Sequence, residues 1–229
     1  MNEYAIIVAG GSGSRMQTET PKQFLELQGK PVLMHTLEVF MSYASHLKLV
    51  LVLPEASIPV WQDLCKMHSF HHPIHVVSGG KSRYQSVKNG LMQLPQEDSL
   101  VAIHDGVRPL VTRGIIAESF ATAKAYGSAI AATPLKESIV EVAGDSARSI
   151  DRTRFRSIQT PQTFKTLLIR EAYEQIDERH ALTDDASVAE KFGLTIRLIA
   201  GSYENIKITT PEDLLLAESI MGTKKIRRS

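Results

Sequence analysis

Short apolar runs alternate with longer helix-period segments along most of the chain. The runs at 4–9, 48–53, 75–77, 100–104 and 129–133 read as strands, followed by 196–199 and 206–208. Several are apolar at nearly every position, where a half-exposed strand would alternate. Strands covered by helices on both faces have this pattern, so a parallel sheet is predicted. Between them, 31–44, 58–68, 82–94, 113–126, 165–175, 184–192 and 212–221 read as helices. Pro31 suits a first helical turn, where its missing N–H would have had no partner. Thr210-Pro211-Glu212-Asp213 is a start signal of the same kind, a capping hydroxyl and Pro followed by acids near the positive helix end. The alternation predicts a three-layer, doubly wound, mostly parallel α/β fold.

One stretch breaks the alternation. Residues 138–142 and 148–151 are short and half-polar, separated by Ala143-Gly144-Asp145-Ser146, and read as a β-hairpin leaving the main sheet. A lone two-stranded ribbon cannot cover its own Ile139, Val140 and Ile150. Either a partner subunit or the rest of the same chain must do so. The expected organisation is one domain over 1–229, with an arm at about 134–156.

Composition narrows the function classes. The 26 Lys and Arg against 25 Asp and Glu exclude a strongly basic nucleic-acid surface. Apolar residues at 43% and charged residues at 22% exclude a disordered chain. Cys65 is the only cysteine, so no intrachain disulfide forms and a reducing, cytoplasmic setting is expected. Met1-Asn2-Glu3 lacks the charge of a signal peptide, and no apolar stretch approaches the ~20 residues that span a bilayer. No membrane and no nucleic acid are expected as partners.

Candidate chemistry collects where strands end. The first strand empties into Ala9-Gly10-Gly11-Ser12-Gly13-Ser14-Arg15-Met16, whose glycines let backbone N–H groups close on a phosphate. The dinucleotide and Walker spacings both fail here. Arg15 and Lys22, the latter in Thr20-Pro21-Lys22-Gln23, add two cations suited to holding a triphosphate and stabilising charge during phosphoryl or nucleotidyl transfer. Ser78-Gly79-Gly80-Lys81-Ser82-Arg83 follows the third strand and could read a base or ribose with backbone groups and Ser86. A tight turn that needs glycine competes with that reading. Asp105 leaves a buried strand in His104-Asp105-Gly106-Val107-Arg108-Pro109 and should meet water, a metal or a ligand hydroxyl. Lys207 lies in an otherwise apolar run and calls for an anion or an exposed edge.

Together these segments resemble the 2-C-methyl-D-erythritol 4-phosphate cytidylyltransferase family. The motifs are Gly10 to Met16 with Pro21-Lys22-Gln23, then Asp105-Gly106-Val107-Arg108-Pro109 and Thr160-Pro161-Gln162. Thr183-Asp184-Asp185-Ala186-Ser187 and Ile206-Lys207-Ile208-Thr209 with Pro211-Glu212-Asp213 complete the set. The resemblance implies a nucleotide-transferase α/β fold, a homodimer formed through the β-arm, CTP and a polyol phosphate as substrates, and Mg²⁺ carried mainly by the CTP phosphates. It also implies the third step of the non-mevalonate isoprenoid pathway. Arg15 and Lys22 then resemble transition-state stabilisers, while Arg152 and Lys207 resemble residues that position the methylerythritol phosphate. Ala9, Gly10, Gly11, Gly13, Gly80, Ser86, Asp105 and Gly106 fall on the nucleotide side. Arg108, Ser138 and Thr160 fall on the substrate side, and no residue is assigned to a metal. Gly106-Val107, Ser138 and Lys81 depart from the family's usual residues.

The cluster His68, His71, His72 and His75 reads as a loop and not as a metal site. Trp61 and Cys65, four apart on one helix, read as core contacts, and Lys224 to Arg228 as a basic tail. Two rival functions stay open: a ribitol 5-phosphate cytidylyltransferase, and a nucleotide-binding module without catalysis.

Overall fold

The structure is a computed structural model that describes residues 1–10, 20–177 and 182–226. The elements in chain order are β1 (Asn2–Val8), β2 (Glu26–Leu27), β3 (Lys30–Pro31), α1 (Val32–Tyr43), β4 (Lys48–Leu53), α2 (Ile58–Met67), β5 (Ile74–Ser78) and α3 (Arg83–Met92). They continue through β6 (Ser99–Asp105), α4 (Arg113–Tyr126), β7 (Ser128–Pro134), β8 (Ile139–Ala143), β9 (Ser146–Ile150) and β10 (Arg156–Lys165). The chain closes with α5 (Thr166–Gln175), α6 (Asp185–Lys191), β11 (Leu198–Ala200) and α7 (Pro211–Ile226).

Seven strands form the main sheet in the order β11-β7-β10-β6-β1-β4-β5. All neighbours are parallel except β10, which runs antiparallel to both β6 and β7. Strand parity divides the core in two. Ala5 and Ile7 of β1, with Leu49, Leu51 and Leu53 of β4, face the helices α1, α2 and α4. Tyr4, Ile6 and Val8, with Val50 and Val52, face α3, α5 and α6. This three-layer arrangement is what unbroken apolar strands demanded.

Two expectations need correction, and one strand was not foreseen. Residues 206–208 form no strand; Ile208 N–H donates a single bond to the Val107 carbonyl at 2.9 Å, and Ile206 and Ile208 pack with α7 in a third apolar cluster. Strand β10 has no counterpart among the predicted elements, because its RSIQTPQTFK sequence contains neither an apolar run nor clean alternation. Pro31 precedes α1 as its N-cap instead of standing in the first turn. The hairpin β8–β9 does form a separate two-stranded sheet, paired Ile139 to Ile150.

The chain runs from β1 to β4 and β5 on one side, then returns to β6 on the other. The order therefore reverses between β1 and β6, and the carboxyl ends of those strands border the crevice that open α/β sheets use for ligands. Ala9, Gly10, Asp105 and Gly106 stand there.

Candidate active site

Parity sets the direction of each functional side chain. Val101 and Ile103 of β6 belong to the α3 side, so Asp105 continues that row toward α3. Its carboxylate is buried and meets three cations: Lys207 Nζ at 3.0 Å, Arg108 Nε at 3.1 Å and Arg83 Nε at 3.4 Å. Burial alone would push the Asp105 carboxyl up, but Arg83, Lys207 and Arg108 outweigh it and hold it far below the usual carboxylate range. Asp105 thus meets cation partners within the chain, which the sequence expectation of water, a metal or a ligand hydroxyl did not include. Lys207 finds its anion in the same carboxylate.

Arg83 opens α3 behind a Ser82 cap, whose hydroxyl accepts from Gln85 N–H. Its guanidinium donates from both terminal nitrogens to Asp185, at 2.8 and 2.7 Å. Tyr173 O–H also donates to Asp185, at 2.5 Å. Burial works against the Arg83 charge, but Asp185 and Asp105 raise its pKa well above the ordinary value. Neighbouring Asp184 caps α6 in a reciprocal box with Ser187 and accepts from Gln162 Nε2 at 2.9 Å. Arg83, Asp185 and Gln162 were not singled out from sequence. Gln162 and Asp185 stood in the family motifs without a role, and the acidic doublet does not say which acid caps and which pairs.

The cations and Asp105 stand between two clefts. One is lined by Ala9, Gly10, Lys22, Arg83, Ser86 and Asp105, and Lys207 reaches it too. The other is lined by Arg83, Asp105, Arg108, Thr160, Asp184 and Lys207. Lys22 follows Pro21 in a short 3-10 turn, and Phe24 fixes that turn by stacking on buried Trp61 at 6.5 Å. Gly80 N–H donates to Ser86 Oγ at 3.1 Å, while the Ser86 hydroxyl donates to Ser82 carbonyl at 2.8 Å. A Cβ on Gly80 would fall 2.3 Å from Gln85 Cβ, so this turn requires glycine.

The structure therefore gathers Lys22, Ala9, Gly10, Ser86, Asp105, Gly106, Arg108, Thr160 and Lys207 around the switch point, with Gly80 at the adjoining turn. Arg15, Gly11 and Gly13 lie outside the described residues. Ser138 and Arg152 sit exposed at the arm, where Arg152 donates to the Lys136 carbonyl, and neither lines the two clefts. Asp105 and Asp185 commit their oxygens to cations and a phenol. Among the described residues no three His, Cys, Asp or Glu side chains gather as a metal cage. His72 of the histidine cluster packs edge-on against Phe70, at 4.7 Å between centroids. No helix among the described residues is long and apolar enough to cross a membrane.

A mostly parallel sheet with a cation-lined crevice at its switch point defines an α/β protein of the kind that takes its ligand at the carboxyl ends of the strands. The family model for 2-C-methyl-D-erythritol 4-phosphate cytidylyltransferase matches residues 4–223, and the chain belongs to that family. It is 47% identical over 219 residues to the enzyme of that name from Porphyromonas gingivalis, spanning 95% of this chain and 97% of the other. It is 42% identical to the one from Phocaeicola vulgatus, spanning 96% and 100%. The solved 4-diphosphocytidyl-2C-methyl-D-erythritol synthase from Anaerococcus prevotii superposes with a TM-score of 0.83 at 30% identity, covering 96% of each chain. The cytidylyltransferase from Thermus thermophilus gives 0.78 at 30%, covering 96% and 98%.

Proposed function

We propose that this chain transfers the cytidylyl group of CTP to 2-C-methyl-D-erythritol 4-phosphate, forming 4-diphosphocytidyl-2-C-methyl-D-erythritol and pyrophosphate. The observation that carries the reading is a family match over nearly the whole chain, laid on a crevice where three cations converge. An oxygen of the methylerythritol phosphate attacks the α-phosphorus of CTP in line, and pyrophosphate leaves. The nucleophile is already an anion, so no general base is required. The difficulty is electrostatic: two anions must approach, and charge builds on the α-phosphate oxygens. Cations fixed beforehand offset both.

In this reading Arg15 and Lys22 stabilise the transition state, and Lys207 and Arg108 hold the acceptor phosphate. Ala9, Gly10, Gly11, Gly13, Gly80 and Ser86 receive the nucleotide, and Asp105, Gly106 and Thr160 shape the junction. Mg²⁺ arrives as part of the substrate, on the triphosphate, which suits a site whose acids are already paired. Arg152 and Ser138 serve the site from the arm of a second subunit in a homodimer. A cytoplasmic setting fits the single, half-buried Cys65.

Pyrophosphate release from CTP tests the reaction with three acceptors: the methylerythritol phosphate, ribitol 5-phosphate and none. Release with the first alone is expected. A comparable kcat/KM with ribitol 5-phosphate moves the assignment to the sister reaction, and no release with either makes the chain a binder.

A further inference from the structure

We propose that His104 is a positioning residue of this site: through Thr160 it holds the turn from Asp105 to Arg108, and with it the side chains on that turn, in working geometry. His104 follows Leu100 and Ala102 on the face opposite Asp105, fully buried, with its ring 4.8 Å from that of Phe40 in α1. Its Nε2 lies 3.3 Å from the Arg108 carbonyl, which can only accept, so Nε2 carries the proton. In the neutral ring Nδ1 is then a bare acceptor. Thr160 Oγ1 stands 3.0 Å from it and must donate. The same Oγ1 accepts from Asp105 N–H at 3.1 Å. Each direction forces the next, from the backbone at Asp105, through Thr160 and His104, back to the backbone at Arg108.

The rest of the turn is held equally closely. Gly106 N–H donates to the Val8 carbonyl at 2.8 Å, and Thr36 Oγ1 to the Gly106 carbonyl at 2.9 Å. Ile208 N–H bonds the Val107 carbonyl, and Arg108 N–H closes on the Asp105 carbonyl at 3.1 Å. Asp105 and Arg108 therefore project from a backbone that β1, α1, β10 and the Lys207 segment all grip. Thr160 spends its only proton on His104, so it serves the substrate by fixing Asp105 and not by donating to the ligand.

The charges near enough to act on His104 are Asp105, Arg108 and Lys207. Burial, the largest influence, with Arg108 and Lys207, outweighs Asp105 and drives its pKa down to about 3. A proton on Nδ1 would reverse the Thr160 bond, so the device depends on a ring that stays neutral.

The inference rests on the acceptor chemistry proposed above, and two readouts separate their failures. His104→Phe keeps the ring against Phe40 and removes both nitrogens. In an enzyme that turns over, the KM for the methylerythritol phosphate should rise about tenfold, and the KM for CTP should rise with it, because Asp105 also lines the nucleotide cleft. His104→Asn sets an acceptor where Nδ1 was and should recover most of the loss, whereas His104→Gln, which reaches only the Nε2 position, should not. Thr160→Val combined with His104→Phe should be no worse than the poorer single variant, since both cut one chain. Wild-type KM values in His104→Phe, or losses that multiply in the double variant, overturn the proposal. The second readout needs no turnover. The ¹⁵N resonances of His104, assigned by their loss in His104→Phe, should report an Nε2–H tautomer from about pH 5.5 to 8.5. The Nδ1 signal should move in Thr160→Val. An Nδ1–H tautomer, or titration within that window, overturns it whatever the enzyme's substrate is.

Discussion

Asp185 has no exposed side-chain surface, yet its pair with Arg83 joins residues 102 positions apart. Its two oxygens are taken by the guanidinium fork and by Tyr173. Removing one partner from such a pair leaves the other charge poorly compensated, which costs ~3–5 kcal/mol in buried examples. Arg83 keeps part of its side chain in solvent, so Asp185→Ala should lose stability near the lower figure. Urea unfolding measures it, and a loss below ~1 kcal/mol would mean that Arg83 swings out to water. His104 supplies a second prediction. An unfolded chain protonates this histidine near pH 6.5, while the native chain resists down to about pH 3. Between those values the unfolded state binds more protons, so this group's contribution is intact above pH 6.5 and falls as the pH drops toward 3. In His104→Phe the slope of unfolding free energy against pH should flatten over that interval by up to ~1.4 kcal/mol per pH unit. Equal slopes would mean that the native ring is protonated. Asp105 was legible in the sequence because a charge at the end of an apolar strand needs an explanation, and Lys207 because it interrupts an apolar run, whereas Arg108 came only with the family resemblance. Arg83 and Asp185 were not, since each looks ordinary until the fold brings them together.

The elements read well from sequence wherever burial on both faces left an unbroken apolar run. Lys48–Leu53 and Arg113–Tyr126 match the predicted limits, and β1, β5, β6 and β7 differ from theirs only at the ends. Strand β10 escaped because it is half arm and half core: Arg156 to Ile158 are exposed, while Gln159 to Phe164 are buried with polar side chains satisfied by bonds such as Gln162 to Asp184. A buried polar strand has no hydrophobic signature. Residues 206–208 fail in the opposite sense, because their apolar side chains pack on α7 and the 105–108 turn without any ladder. The close junction of β1, α1 and that turn is itself testable. A Cβ on Gly106 would stand 2.9 Å from Ala9 Cβ, 3.0 Å from Leu33 Cδ1 and 3.3 Å from the Val8 carbonyl. Two of these contacts are backbone or Cβ atoms that cannot rotate away. Gly106→Ala should therefore cost ~1–3 kcal/mol by overpacking, at about 2–4 °C of Tm per kcal/mol for a chain of this size. An unchanged Tm in thermal unfolding would show that the end of β1 yields instead.

At the scale of the whole molecule the question is how the arm meets the site. The ribbon β8–β9 half-buries only Ile139 and Ile150, leaving Val140 and Val142 at 54% and 70% exposure. Two strands with uncovered apolar side chains are marginal by themselves, so a second copy of the chain is the proposed cover. Arg152, at the root of the ribbon, is tied to the Lys136 carbonyl of its own chain and lines neither cleft. A cation so placed can serve a substrate phosphate by folding back over its own crevice or by crossing a two-fold axis into its neighbour's. The exposed valines favour crossing, because a symmetric partner would cover them. Each site would then combine Lys207 from one subunit with Arg152 from the other. Arg152→Ala and Lys207→Ala homodimers should each be inactive, since every site in them lacks one cation. Mixing the two lets subunits exchange, and random pairing makes about half of the dimers heterodimeric. In a heterodimer one site holds both intact residues and the other holds neither. Activity should consequently rise from near zero toward about a quarter of wild type as exchange proceeds. No recovery, with exchange verified by two differently tagged subunits, would mean that each arm serves its own chain.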